Sequence, residues 1–152
     1  MDFLIDFFMV ICWHLLILLL TRCLPITFFN PTKKMYQTAK WELGGKFYTK
    51  KLKIKKWKDR LPQYIAKNGF SKRNLESIKN DPSYIERFVI ETCRAEWNHT
   101  LCCAYCILSF VLSHSAVNAS VISLITLAAN LPYILIQRYN RIRLQKLRNE
   151  NR

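Results

Sequence analysis

The sequence predicts an all-α membrane protein with about three transmembrane helices and a basic, partly interfacial cytoplasmic segment. The chain of 152 residues is 51% hydrophobic and 22% charged, so its mean hydropathy near zero averages two unlike populations. Apolar residues are gathered in residues 3–20 and 100–137, and most basic residues lie elsewhere. Neither long run after residue 100 alternates polar and apolar faces as a helix of a soluble protein would.

Residues 1–24 are predicted to form the first transmembrane helix. Residues 3–20 read FLIDFFMVICWHLLILLL, with one acidic residue and one histidine in an otherwise apolar run. This length approaches the roughly 20 residues that a helix needs to cross the hydrocarbon core. The alternative is a cleaved signal peptide. It is disfavoured because Asp2 and Asp6 stand where basic residues are typical, and no small-residue cleavage pattern follows Leu20.

Residues 25–80 are predicted to form the basic cytoplasmic and interfacial segment. Aromatic residues and lysines are mixed there, which suits the headgroup region of a bilayer. The stretch KKLKIKKW permits either a short strand or a surface-lying segment. Further along, Asn68-Gly69 predicts a turn, and a short helix is expected after Ser71. The aromatic residues expected at the membrane interface are Trp41, Phe47, Tyr48 and Trp57.

Residues 81–137 are predicted to form a charged helix that enters a transmembrane hairpin. Asp81 is a good N-cap, and Pro82 suits the first helical position. The apolar runs LCCAYCILSFVL and VISLITLAANLPYILI follow, separated by a short polar turn. Pro132 is expected to bend the last helix. Residues 138–152 are predicted to form a basic cytoplasmic tail.

The distribution of basic residues predicts the orientation in the membrane. Of the 24 Lys and Arg residues, 17 lie in residues 25–100 and six lie at 138 or later. By the positive-inside rule the N-terminus lies outside and the C-terminus in the cytoplasm, in a multi-pass protein of the cell membrane. The net charge of +14 is explained by anionic lipid headgroups as partners. Nucleic acid is not expected as a partner.

The six cysteines are not expected to form a disulfide framework, because all are predicted within helices or on the cytoplasmic side. The pattern H-x-x-C-C-x-x-C that begins at His99 has a spacing seen in metal sites. Cysteine is also a common buried apolar residue, and packing is the favoured explanation. No metal site is therefore expected.

Several ionisable groups cluster in IETCRAEWNH, residues 90–99, at the mouth of an apolar run. On a helix, Arg87, Glu91 and Arg94 share one side and are spaced as ordinary ion pairs. Glu96 and His99 share the adjacent side and are not explained by that pairing. They are three residues apart, near the point where the chain becomes continuously apolar. This pair is therefore the stronger candidate for chemistry.

A second polar stripe lies on the last predicted helix. Polar groups at membrane depth usually face the interior of a helix bundle, so this stripe is expected to face the helix of Glu96 and His99. The basic residues that follow, Arg138, Arg141 and Arg143, are explained on their own by the positive-inside rule. The stripe consists of Thr126, Asn130, Tyr133, Gln137 and Arg141.

Two motifs resemble a known family. IETCRAEWNH together with ANLPYILIQRYNRIRL, and more weakly KKWKDRLP, is similar to the small membrane acyltransferases typified by glycosyl-4,4'-diaponeurosporenoate acyltransferase. The patterns are I-E-T-x-R-A-E-x-x-H from Ile90 to His99, and A-N-x-P followed by Q-R-Y-N-R-x-R-L from Ala129 to Leu144. In certain bacteria the typical member esterifies a sugar hydroxyl of a glycosylated carotenoid acid with a fatty acyl chain.

The resemblance implies acyl transfer to a sugar hydroxyl of a glycosylated lipid, as in carotenoid biosynthesis. His99 is then the expected general base, oriented by Glu96 or Glu91. Arginines could hold a donor phosphate or stabilise the oxyanion. The expected donor is an acyl thioester of coenzyme A or of a carrier protein, with no bound cofactor. Residues expected to bind substrate are Arg94, Asn130, Gln137, Arg138, Asn140 and Arg141.

Neither an H-x-x-x-x-D motif nor a G-x-S-x-G elbow is present in the sequence. Direct transfer without an acyl-enzyme is therefore the simpler hypothesis, although the cysteines leave a covalent route open.

The competing hypothesis is a non-catalytic membrane adaptor or assembly protein that binds anionic lipid or a partner enzyme. A chain of 152 residues offers little material for a complete active site, a difficulty that a homo-oligomer or a partner enzyme would relieve. An enzyme requires Glu96, His99, Asn130 and Arg141 to converge around a cavity. An adaptor would leave the same side chains facing outward.

Overall fold

The computed structural model of the chain describes residues 2–62 and 82–150. Within these two ranges there are three long helices: α1, Asp2–Cys23; α2, Pro82–Leu112; and α3, Ala116–Glu150. No strand occurs in this described part of the chain, so it is all-α as the sequence predicts. The predicted turn at Asn68-Gly69, the short helix after Ser71 and the N-cap at Asp81 lie outside the described residues.

Short helical turns occupy most of the chain from Ile26 to Arg60, including KKLKIKKW, which therefore does not form a strand. The 3₁₀ turns are Ile26–Phe29, Lys34–Tyr36, Lys40–Gly45, Ile54–Lys56 and Lys58–Arg60, and Phe47–Lys51 is a π turn.

Two of the long helices could span a membrane by length and composition. These candidate spans are Phe3–Cys23, in α1, and Ala116–Asn149, in α3, which continues through Pro132. They are consistent with a membrane location for the protein. The count of three crossings and the orientation of the termini stay predictions.

The chain divides into two compact units. Unit 1 consists of Met1–Phe28 and Arg94–Leu135, and unit 2 consists of Phe29–Cys93 and Ile136–Arg152. Helices α2 and α3 therefore each supply residues to both units, whereas α1 belongs to unit 1 alone.

In unit 1 each of the three long helices contributes a side chain to an apolar core of Val10, Tyr105 and Ile122. The Trp13 indole donates a hydrogen bond to the carbonyl oxygen of Leu101 at 3.0 Å. Many apolar side chains of this unit face outward, an exterior typical of contact with lipid. They include Leu4, Phe8, Leu15, Leu16, Leu19, Ile107, Val111, Val117 and Leu124.

In unit 2 the turns that follow α1 bury Phe29, Tyr36, Tyr48 and Ile54. Tyr48, which the sequence places at the membrane interface, is instead fully buried. Gly45 has a φ of +94°, and a Cβ atom there would lie 3.2 Å from Cγ2 of Ile142 in α3. Only glycine takes both this conformation and this close approach without strain.

Candidate active site

The two polar stripes predicted from the sequence meet in unit 1 at His99 of α2 and Asn130 of α3. Nδ1 of His99 lies 2.9 Å from Oδ1 of Asn130. The His99 ring also stacks on the ring of Tyr133, with centroids 4.8 Å apart and planes inclined by 9°. Since Tyr133 follows Asn130 by about one helical turn, one face of α3 supplies both contacts.

A second histidine, His14 of α1, joins this network through Asn130. Nδ2 of Asn130 lies 3.1 Å from Nε2 of His14 and 2.9 Å from the carbonyl oxygen of Thr126. Nδ1 of His14 lies 2.8 Å from the carbonyl oxygen of Val10. Each of the three long helices thus contributes to one polar group, the histidine cluster, which comprises His14, His99, Asn130 and Tyr133.

The hydrogen-bond partners assign the tautomers of both histidines in their neutral forms. A carbonyl oxygen can only accept, so Nδ1 of His14 donates to Val10 and Nε2 of His14 accepts from the Asn130 amide. Oδ1 of Asn130 can also only accept, so Nδ1 of His99 carries a proton. The lone pair of His99 is then on Nε2, which is the basic atom of the cluster.

The cluster lies among apolar helices rather than on an open polar surface. Asn130 is only 4% exposed, and His14, His99 and Tyr133 are half-buried. Polar side chains on helices of this kind are costly unless they are paired, and they commonly mark functional sites. The pairing seen here satisfies that requirement and holds the His99 ring in one orientation.

An apolar cavity of about 260 Å³ adjoins the cluster. Two of its lining residues, His14 and Thr126, are the hydrogen-bond partners of the Asn130 amide. An apolar chain in this cavity would therefore lie beside the cluster. The remaining lining residues are Val10, Ile11, Leu15, Ile125 and Ala129.

The acidic residues predicted to orient His99 occupy different places. Glu96 is buried in the part of α2 that belongs to unit 1, whereas Glu91 belongs to unit 2. The partner seen at Nδ1 of His99 is the Asn130 amide oxygen. This oxygen selects the tautomer as a carboxylate would, without bringing a charge. The catalytic roles of Glu96 and Glu91, and substrate binding by the half-buried Arg94, stay predictions.

In unit 2, Arg138 of α3 forms a two-pronged ion pair with Glu42. The Nε–Oε1 distance is 2.9 Å and the Nη2–Oε2 distance is 3.1 Å. Arg138 also donates to the carbonyl oxygens of Met35 and Gln37. Glu42 is fully buried and accepts further hydrogen bonds from the Tyr48 hydroxyl and the Ala39 amide. This ion pair joins the short turns to α3.

The surroundings of Glu42 keep it ionised. Burial raises the pKa of its carboxyl, but hydrogen bonds from Arg138, Tyr48 and Ala39 outweigh that effect and hold the pKa below the ordinary 4.5. Burial, followed by the hydrogen bond to Glu42 and the charge of its carboxylate, raises the pKa of Tyr48 well above its ordinary 10.0. At neutral pH the group is therefore an ionised carboxylate, a guanidinium and a neutral phenol.

Arg141 is 1% exposed and also binds the turns of unit 2. Its Nε donates to the carbonyl oxygen of Tyr36 at 3.0 Å, and its guanidinium carbon lies 5.3 Å from the centre of the Tyr36 ring. Nη1 of Arg141 lies 3.8 Å from the sulfur of Cys93. Gln137 is buried and Asn140 is half-buried. Substrate binding by these residues and by Arg138 stays a prediction.

Two residues of these networks, His14 and Glu42, were missed at the sequence level. Each carried a signal. His14 is the lone histidine of the first apolar run, and Glu42 is one of two acidic residues between 25 and 62. An isolated polar residue in a run of opposite character often has a dedicated partner.

The family model described as glycosyl-4,4'-diaponeurosporenoate acyltransferase matches residues 32–150, which include His99, Asn130 and Tyr133. The chain belongs to this family. Relatives of that name from Staphylococcus aureus strains bovine RF122 / ET3-1 and N315 are each 30% identical over 128 residues. The alignments cover 82% of this chain and 74% of each relative. No solved structure matches the chain. The resemblance predicted from the two motifs is confirmed, and the chain is an acyltransferase.

Proposed function

We propose that this acyltransferase esterifies a sugar hydroxyl of a glycosylated lipid with a fatty acyl group. The name of its relatives points to a glycosylated carotenoid acid as the class of acceptor. The observation that carries the proposal is the hydrogen bond between His99 and Asn130, which leaves the His99 lone pair on Nε2. The outward apolar side chains of unit 1 suit substrates that diffuse within the bilayer.

In the proposed reaction, Nε2 of His99 acts as a general base. It removes the proton of the sugar hydroxyl as that oxygen attacks the carbonyl carbon of an acyl thioester, and a new C–O bond forms. The tetrahedral intermediate then collapses as the C–S bond breaks. The departing thiolate takes the proton from His99, which restores the neutral ring. The sequence has no nucleophile motif that would require an acyl-enzyme.

Asn130 is proposed as the positioning residue for this base. Its amide is itself oriented by two acceptors, Nε2 of His14 and the Thr126 carbonyl, so that its oxygen is presented to His99. A base held in one tautomer and one orientation needs less reorganisation during proton transfer. The Tyr133 ring, stacked on the imidazole, further limits its rotation.

The apolar cavity beside His14 is proposed to hold part of the acyl chain. Its lining is apolar apart from His14 and Thr126. Relative to an acyl chain in water, burial of each methylene group there would contribute about 0.8 kcal/mol to binding. Coenzyme A or a carrier protein is proposed as the thioester carrier. The apolar lining of this cavity favours a donor that carries a long fatty acyl group over one that carries a short acyl group.

Replacement of His99 tests the proposed base. We expect His99→Ala and His99→Gln to lower formation of the acylated glycolipid by about 100-fold or more, the usual contribution of a general base. Product is measured by chromatography and mass spectrometry of lipid extracts from cells that make the glycosylated acceptor, normalised to the amount of membrane-bound protein. His114→Gln, a change of the exposed histidine between α2 and α3, is the control and should leave the product unchanged. Normal product from His99→Ala at normal protein abundance would refute the assignment.

A further inference from the structure

Unit 2 contains a basic cavity that the proposed chemistry does not use. Its volume is about 210 Å³. Four cationic side chains line it, together with the polar side chains Thr49 and Tyr139, and no carboxylate occurs among the lining residues that the structure describes. The four cations are Lys46, Lys55, Arg143 and Lys146. A concentration of positive charge around one cavity favours an anionic ligand.

A buried hydroxyl distinguishes this cavity from an ordinary solvated basic surface. Tyr139 is 2% exposed, and its hydroxyl has no hydrogen-bond partner among residues 2–62 and 82–150. Its ring is 6.2 Å from that of Tyr48, and the guanidinium carbon of Arg143 lies 5.6 Å from its centre. Buried hydroxyls are normally paired, so a ligand oxygen would supply the expected partner.

Gly44 and Gly45, in the turns that follow α1, also line the basic cavity. Nζ of Lys146 donates a hydrogen bond to the carbonyl oxygen of Gly44 at 2.8 Å, which holds this ammonium in place. A Cβ atom on Gly44 would lie 3.8 Å from the same Nζ. The left-handed conformation of Gly44 and Gly45 allows the backbone to pass close to α3. At least one of the cations is thus positioned before any ligand binds.

The arginines that the sequence suggested for a phosphate are engaged elsewhere. Arg138 is paired with the Glu42 carboxylate, and Arg141 binds the Tyr36 carbonyl and lies over its ring. Arg143 and Lys146 of the same helix instead line the basic cavity. Arg138 and Arg141 are therefore engaged in holding the turns, whereas Arg143 and Lys146 line the cavity, Lys146 while it is also bonded to Gly44.

We propose that this cavity binds the phosphoryl group of a phosphate ester. Guanidinium and ammonium groups recognise phosphate oxygens by charge-assisted hydrogen bonds, and the Tyr139 hydroxyl adds a neutral donor. Two ligands share this chemistry: the nucleotide part of an acyl thioester donor, and the headgroup of an anionic phospholipid. Assignment to the acyl donor rests on the proposed function, whereas binding of phosphate does not.

Binding to the purified full-length protein tests this proposal. In detergent micelles the protein is titrated with pyrophosphate and with coenzyme A, and in phosphatidylcholine nanodiscs the content of phosphatidylglycerol is varied. Isothermal titration calorimetry measures the soluble ligands, and native mass spectrometry counts retained phosphatidylglycerol. The variants are Lys46→Gln with Arg143→Gln, and Tyr139→Phe. The matched control is Lys50→Gln with Lys51→Gln, which removes two exposed lysines that do not line the cavity.

We expect the cavity double variant to weaken binding about tenfold or more, since hydrogen bonds to charged groups are the strong ones. Tyr139→Phe should weaken it several-fold, and the control pair about twofold or less because Lys50 and Lys51 do not line the cavity and their charges act on the ligand only through screened solvent. Thermal unfolding checks that each variant is folded. If the variant with both Lys46→Gln and Arg143→Gln is unfolded, binding is measured with Arg143→Gln alone.

If binding of coenzyme A or of phosphatidylglycerol depends on the cavity residues, the proposal is supported. The ligand whose binding shows this dependence identifies the source of the phosphate. Equal weakening by the control pair would overturn the proposal, as would no binding of any phosphate ligand by the unchanged protein. These outcomes are independent of the His99→Ala result, because binding rather than acyl transfer is measured.

Discussion

At the scale of single residues, Asn130 determines how the base is presented. Its oxygen accepts from His99, and its NH₂ group reaches both His14 and the Thr126 carbonyl. The opposite amide orientation would place an oxygen against the Thr126 carbonyl, which can only accept, so the network permits one orientation. The tautomer of His99 is therefore selected by a residue 31 positions away in the chain.

Asn130→Leu is expected to lower kcat for acyl transfer by about 10- to 100-fold while KM for the acceptor changes little, since Asn130 contacts the base rather than the substrate. Asn130→Asp retains an acceptor for His99 but sets an oxygen against the Thr126 carbonyl, so it should restore only part of the activity lost in Asn130→Leu. Steady-state rates with membranes that contain each variant provide the measurement. Asn118→Leu, in the first turn of α3, is the control. A change in KM alone would argue against a positioning role.

At the scale of elements, helix α3 holds the short turns of unit 2. Arg138 binds Glu42, Arg141 binds Tyr36, and Lys146 binds Gly44, each through a side chain of α3. Turns of three to six residues have little stability of their own, because helix nucleation is unfavourable. Their arrangement therefore depends on these contacts and on the buried aromatic residues beneath them.

Glu42→Ala leaves Arg138 without its buried carboxylate and is expected to lower the free energy of unfolding by about 3–5 kcal/mol. Asp59→Ala is the matched control, because its ion pair with Lys58, at 2.6 Å, is on the surface. The control should change stability by less than about 1 kcal/mol. Thermal unfolding in detergent, followed by circular dichroism, compares the two. Similar losses from both variants would contradict a special role for the buried pair.

The stability measured by thermal unfolding is expected to depend on pH. The pKa of Glu42 is lowered in the folded state, so its stabilisation is present above the ordinary value of 4.5 and is lost as pH falls through the folded pKa. The pKa of Tyr48 is raised, so its stabilisation is present below 10.0 and is lost as pH rises above it. We expect the unfolding temperature to fall on both sides of this window. Glu42→Gln should reduce the decline at acidic pH.

At the scale of the whole molecule, the number of membrane crossings can be tested through the two termini. Three crossings place the N-terminus outside and the C-terminus in the cytoplasm, whereas two crossings place both on one side. We expect antibody to reach an N-terminal epitope tag on intact spheroplasts, and a C-terminal tag only after permeabilisation. Resistance of the protein to alkaline carbonate extraction is the control for membrane insertion. Both tags on the same side would exclude three crossings.

Local patterns predicted the helical class and part of the site, but not the full set of contacts. The helical period of 3.6 residues placed His99 and Asn130 on the polar faces where they are found. The expectation that Glu96, His99, Asn130 and Arg141 converge was broader than the contacts observed. His99 and Asn130 bind each other in unit 1, while Arg141 binds Tyr36 and Cys93 in unit 2. The helical period assigns a residue to one face of its helix, but it does not show which other residues pack against that face.

The sequence by itself determined the all-α class and, through two motifs, the acyltransferase family, and it predicted about three crossings where two described helices are candidate spans. These properties depend on composition, helical period and residue spacing, all of which are local. Only the tertiary structure decided that His14 supports Asn130, that Glu42 occupies Arg138, and that Arg143 and Lys146 are left to line a basic cavity. Such contacts join residues about 100 positions apart, such as the 116 between His14 and Asn130. Packing of whole helices selects those partners, and no local pattern encodes it.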